Sequence, residues 1–235
     1  MLYLILALII MTWLLFICLI YKKKRLDAFY IKGLTSFLFV FLYMYGIYHI
    51  FLDSIHEVNE STLISLLAIG LGLILGLLGD LFLEVQYFHS KHKERQIKYG
   101  MIVFGLGHLF YILAMIEKSS FNYLSLLIAL FMTLFIYLGA KLMSIRFGKL
   151  KAFTYGYSFI IFTMVGQSIF QALDHDASTF SLIFMLGAIL FGISDLLLAP
   201  IYFKKQTHHL FVIANLFTYY LGQTLIALSI YFMIT

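Results

Sequence analysis

Three ionisable side chains stand where a long apolar sequence has no ordinary use for them. Asp80 closes the pattern Gly72-x3-Gly76-x2-Gly79-Asp80, His108 closes Gly100-x3-Phe104-x2-Gly107-His108, and Asp195 closes Gly187-x3-Phe191-x2-Ser194-Asp195. Each set follows the i, i+4, i+7, i+8 spacing of one helical face. Small residues on such a face let helices approach closely, which turns the polar side chain toward a neighbouring helix rather than toward lipid. A charge inside a membrane span costs about 2.5–3.5 kcal/mol on insertion scales, so each of the three is a functional suspect. Two carboxyl groups in one poorly hydrated site cannot easily both be ionised, and one of them keeps a proton. Such a pair can serve as general acid and general base. Two other readings use the same side chains. Asp80, His108 and Asp195 could hold zinc with an open position, as in a membrane lipid hydrolase or amidase. The aspartates could instead couple protons to a carrier of lipid or small solutes. Any one of them could also simply bond to a neighbouring helix, but three polar groups converging on one leaflet resist that account.

Further polar residues accompany them. Tyr111 lies one turn beyond His108, and Glu84 lies one turn beyond Asp80, close enough to the membrane edge to snorkel toward water. Asn215 and Gln223 share a face with Tyr219 between them, which suggests a polar stripe. Gln167 and Gln171 can join helices as readily as bind a substrate. His49, His56, His89, His92, His175, His208 and His209 fall near water, and Asp174-His175-Asp176 reads as a solvated turn, so none of these receives a role. The lone Cys18 cannot form an intrachain disulfide or a Cys-rich metal site, which leaves it a lipid-facing or packing residue.

The elements that must position these groups follow from composition. Of 235 residues, 63% are hydrophobic and only 11% charged, with a mean hydropathy of +1.00. A soluble domain carries about 25% charge, so no single water-facing core could hide this apolar surface. The apolar runs are long and unbroken, unlike the alternation of an outer-membrane barrel. A span needs about 20 apolar residues, and windows of that kind predict helices at about 2–20, 33–52, 62–84, 99–116, 123–142, 152–172, 179–203 and 210–233. A soluble enzyme, a disordered tail and a nucleic-acid binder are excluded.

Charge supports the same division. Of the 16 Lys and Arg residues, all but Lys118 fall in or beside the loops at 21–32, 85–98, 143–151 and 204–209. The other side carries Asp53, Glu57, Glu60, Glu117, Asp174 and Asp176. Positive loops stay cytoplasmic, so both termini are expected outside and the net charge of +5 reflects orientation. With a rise of about 1.5 Å per residue, Asp80 then lies roughly 6–8 Å below the cytoplasmic edge, and His108 and Asp195 roughly 12–14 Å below it. All three can line one pocket toward the cytoplasmic leaflet. Met1 to Ile20 lacks a basic n-region and is followed at once by Lys22 to Arg25, so it reads as an uncleaved first span. No linker is visible, and residues 1–235 read as one all-α, eight-helix membrane domain. An offset of 115 residues lays Gly79-Asp80 on Ser194-Asp195 and Gly107-His108 on Gly222-Gln223, a hint of a parallel 4+4 repeat.

These motifs also resemble those of a known family. Gly79-Asp80, Gly107-His108-x2-Tyr111, Phe191-x2-Ser194-Asp195 and Thr218-Tyr219-Tyr220-x2-Gln223, in this order, are similar to the motifs of the YhhN-type lysoplasmalogenases. Lys32, which we expect to open helix 2, is similar to the family's early lysine, although Gly33 stands where that family places proline. The resemblance implies an eight-helix integral membrane enzyme; we expect it in a bacterial plasma membrane and assign it no cofactor and no metal ligand. It would hydrolyse the vinyl-ether bond of a lysophospholipid drawn from the surrounding membrane lipids, giving a fatty aldehyde and a glycerophospho-base. Asp80 and Asp195 would then form the acid/base pair, with His108 and Tyr111 orienting the pair or the water. Tyr219 and Gln223 would hold the glycerol backbone, and Lys32 would meet the phosphate. Glu84, Ser194, Asn215 and Tyr220 complete the expected substrate-binding set.

Overall fold

The computed structural model describes residues 1–53, 58–88, 92–173, 178–204 and 208–234. They form eight α-helices, and no strand occurs among them. In order these are α1 (Leu2–Tyr21), α2 (Arg25–Asp53), α3 (Glu60–Val85), α4 (Lys93–Lys118), α5 (Leu124–Leu142), α6 (Lys151–Ala172), α7 (Thr179–Phe203) and α8 (His209–Ser229). One-turn 3₁₀ helices precede α6 (Gly148–Leu150) and follow α8 (Ile230–Phe232). All but α6 are long and apolar enough to cross a bilayer. At 22 residues α6 has the length but falls short in apolarity, because it carries Thr154, Ser158, Thr163, Gln167 and Ser168. Those five are buried inside the bundle, where hydroxyls bond back to the helix's own carbonyls. The chain is an integral membrane protein.

Starts and stops follow local chemistry. The Asn59 side chain accepts the Thr62 N–H at 2.8 Å and opens α3, and Ser178 does the same for Ser181 at 3.2 Å before α7. Two helices begin earlier than their apolar windows: α2 at Arg25 rather than 33, and α4 at Lys93 rather than 99. Both extensions carry charged residues whose aliphatic stems let a helix continue out of the apolar zone. Lys32 therefore does not open a helix; it lies about two turns inside α2.

The tightest partnerships are α3 with α4 and α7 with α8, and both cross at glycine. A methyl group on Gly107 would stand 3.1 Å from the Gly72 carbonyl oxygen, and one on Gly187 would stand 2.8 Å from that of Gly222. Gly72 and Gly187 are 115 positions apart, as are Gly107 and Gly222. Around these pairs α1 packs on α2, α5 on α6, and α2 bridges α3 and α8. The apolar windows of α3 and α4 are each 56% buried against 17% for α5, so α3 and α4 are central and α5 peripheral. Cys18 is exposed on the outer face of α1.

Candidate active site

The motif glycines of α3 act as seats. A Cβ on Gly72 would overlap the Tyr111 ring, one on Gly79 the Phe104 ring, and one on Gly76 would press on the Gln223 amide at 3.1 Å. Because these positions lack side chains, α4 and α8 pack closely on α3, and α8 brings the Tyr219 hydroxyl to Asp80. The Asp80 carboxylate is buried and fully engaged. Its Oδ2 accepts the Ser36 hydroxyl at 2.6 Å and the Tyr219 hydroxyl at 2.5 Å, while Lys32 Nζ lies 3.3 Å from Oδ1. Three donors from α2 and α8 converge on this one carboxylate.

Asp80 and Asp195 line the same cavity of about 540 Å³. Lys32, Glu84, Ser194, Asn215 and Tyr219 share its wall, and most of the remainder is apolar, including Phe104, Ile161, Phe162 and Phe191. Asp195 is less engaged than Asp80. The Tyr157 hydroxyl is its hydrogen-bonding neighbour, and Oδ2 has no partner among the described residues. The two carboxylates thus face one volume under different restraint.

The other expected residues divide. Ser194 and Asn215 lie on the wall but spend their side chains on helix backbone: Asn215 Nδ2 of α8 donates to the Ser194 carbonyl of α7 at 2.7 Å, and Ser194 Oγ donates to the Phe191 carbonyl within α7. Glu84 was expected to snorkel; it is instead 4% exposed and sits in the electrostatic reach of Lys32 and Arg25. Tyr111 and Gln223 lie behind the cavity, joined hydroxyl to amide oxygen at 3.4 Å, and Gln223 in turn neighbours the Tyr219 hydroxyl. Tyr220 is packed among Phe16, Phe39 and Trp13, with its hydroxyl unpartnered among the described residues.

His108 is not on the cavity wall. Its ring is sandwiched among Tyr111, Tyr157 and Phe191, the last edge-on at 4.6 Å, and neither ring nitrogen finds a partner among the described residues. Tyr157, on which it stacks, is also the neighbour of Asp195. No three His, Cys, Asp or Glu side chains among the described residues are grouped closely enough to share a metal ion, so Asp80, His108 and Asp195 do not form a ligand set.

Several residues at the site, Ser36 behind the wall and others on it, had escaped the sequence reading. Ser36 stands one turn after Lys32, a spacing that the sequence displays once the lysine is suspected. Tyr157 is one of 17 tyrosines, and nothing in its neighbourhood marks it. Lys23, Arg25, Tyr87, Tyr202 and His209 also line the cavity, so His209 is not merely a water-facing residue. His49 bonds the Tyr45 hydroxyl at 2.7 Å. His56, His89 and the Asp174-His175-Asp176 turn lie outside the described residues.

No curated protein and no solved structure matches the chain. One family profile does, that of the YhhN family, over residues 28–230. The matched span takes in all of the wall residues named above except Lys23 and Arg25.

Proposed function

Because the chain belongs to the YhhN family, we propose that it is an intramembrane hydrolase that cleaves the vinyl-ether bond of lysoplasmalogen-type lysophospholipids. Family membership is consistent with a hydrolase. The observation that carries the finer reading is one apolar cavity with two differently restrained carboxyl groups on its wall.

Enol ethers open when the β-carbon of the vinyl group takes a proton. Asp195, whose Oδ2 has no partner among the described residues, supplies that proton, and the carbon next to the ether oxygen becomes an oxocarbenium ion. In this mechanism Asp80, engaged by Lys32, Ser36 and Tyr219, acts as the carboxylate that stabilises that cation and takes a proton from the attacking water. The product is a hemiacetal. It collapses as its hydroxyl proton returns to Asp195 and Asp80 protonates the departing glycerol oxygen, which regenerates both carboxyl groups. One water is consumed, and a fatty aldehyde and a glycerophospho-base leave. The apolar walls hold the chain and limit stray water. On this reading the basic loops are cytoplasmic, both termini lie outside, all eight helices cross, and the halves form a 4+4 repeat.

The test is direct. Purified protein given lysoplasmenyl lipid releases fatty aldehyde, and Asp80→Asn and Asp195→Asn each lower the rate by about 100-fold or more. Folded variants that keep full activity, or a native protein that releases no aldehyde, would overturn the proposal.

A further inference from the structure

We propose that the turn between α1 and α2 is the phosphate-binding subsite of this cavity, with Lys23 and Arg25 as the anion-binding residues and His209 as the third donor. The inference rests on the lysophospholipid reading above and names the part of the site that would select the headgroup.

Lys32 is the cation that sequence reasoning assigns to phosphate, but its ammonium is engaged by Asp80 at 3.3 Å. A phosphate brought to Lys32 would compete with the carboxylate that the chemistry needs charged. The positive charge for an anionic headgroup must therefore come from elsewhere on the wall. Lys23, Arg25 and His209 are the other basic residues lining the cavity among the described residues, and Lys23 is exposed while Asp80 is 2% exposed. The basic group thus stands at the mouth and the carboxylates inside, the order in which a lysolipid would present phosphate and chain. Among the described residues neither Lys23 nor Arg25 is in an ion pair.

The turn also holds these cations in place. The Lys24 N–H bonds the Leu19 carbonyl and the Lys23 N–H that of Ile20, each at 3.0 Å, which closes α1 with Lys23 in the left-handed region at φ +58°. Glycine is the usual residue there, so the chain carries a lysine where the backbone favours none. Arg25 is steadied by lying 4.2 Å over the Tyr87 ring, which keeps the planar guanidinium at the wall. The His209 ring sits 5.9 Å from that of Tyr21, at the end of α1.

Lys23→Gly suits the test because it removes the cation while easing the backbone, and Arg25→Gln keeps a polar side chain. Full-length protein in phosphatidylcholine nanodiscs is assayed on 1-O-alkenyl-glycerophosphoethanolamine and on 1-O-alkenylglycerol, which lacks phosphate. The double variant lowers the preference (the ratio of kcat/KM values) for the phosphate-bearing substrate by about ten-fold or more, through KM. Inorganic phosphate is added as competitor; inhibition of the native protein alone would identify a site for free phosphate, and its absence one for the esterified headgroup. An unchanged preference, or equal losses on both substrates as expected of mere contact with bilayer headgroups, overturns the inference. A binding arm separates this from failure of the hydrolase reading. The saturated ethers 1-O-alkyl-glycerophosphoethanolamine and 1-O-alkylglycerol are compared by native mass spectrometry. Phosphate-dependent binding that the double variant loses sustains the subsite even if no aldehyde forms.

Discussion

Asp80 concentrates the energetics of the site into one residue. A carboxylate at 2% exposure is tolerable only because Lys32, Ser36 and Tyr219 all donate to it. Removing one partner of a buried pair is costlier than removing both. Lys32→Met should therefore destabilise the protein by about 3–5 kcal/mol, with any protonation of the stranded carboxyl group moderating the loss. The Lys32→Met, Asp80→Asn double variant should melt closer to the native protein than Lys32→Met does. Thermal unfolding in detergent checks this, and equal melting of the single and double variants would refute the pairing. At this scale the sequence was informative for charge and poor for aromatics. Asp80 and Asp195 were legible because carboxylates in an apolar helix break the composition around them. Tyr157 was not, since a tyrosine among so many aromatic residues carries no mark until its hydroxyl is seen beside Asp195. His108 was legible as an anomaly, but its spacing could not reveal that three rings enclose it.

The helices owe their positions to glycine more than to large apolar side chains. The Gly187–Gly222 approach leaves no room for a methyl group, whereas a Cβ on Gly156 of α6 meets nothing within 4 Å. Gly187→Leu should force α7 and α8 apart, lower the melting temperature and abolish aldehyde release together. Gly156→Ala should stabilise α6 by about 0.4–1 kcal/mol. The pair of melting curves tests whether close approach, rather than glycine content as such, fixes the bundle. The order and number of helices were plain from apolar windows because each run is long and bounded by charge. Their basic ends were not: α2 and α4 continue as helix through charged residues that a hydropathy window discards, which moved Lys32 from a helix start into its interior.

Over the whole molecule, seven helices meet the length and apolarity of a span, and α6 differs by a row of polar residues turned inward. A hydropathy window scores those residues as if they met lipid, although the bundle shields them. We expect α6 to cross. In a variant with Cys18 replaced by serine, single cysteines at Lys149 and Ser178 should react with a membrane-impermeant maleimide from opposite faces, Lys149→Cys from the cytoplasm and Ser178→Cys from outside. Labelling of both from one side would refute the crossing, and labelling of Lys149→Cys from outside would reverse the proposed orientation.

The paired glycine crossings have one more consequence. Asp80 belongs to the α3–α4 partnership and Asp195 to the α7–α8 partnership, yet both look into one cavity. Neither four-helix portion owns a complete site; the chemistry would exist only at the seam where the portions meet. A chain cut in the short connection between α4 and α5 should thus behave as two halves of a key. Residues 1–120 and 121–235 expressed separately would each be inert, and co-expression would restore aldehyde release. Combining an Asp80→Asn first fragment with an intact second fragment would not, because the missing carboxylate has no substitute across the seam.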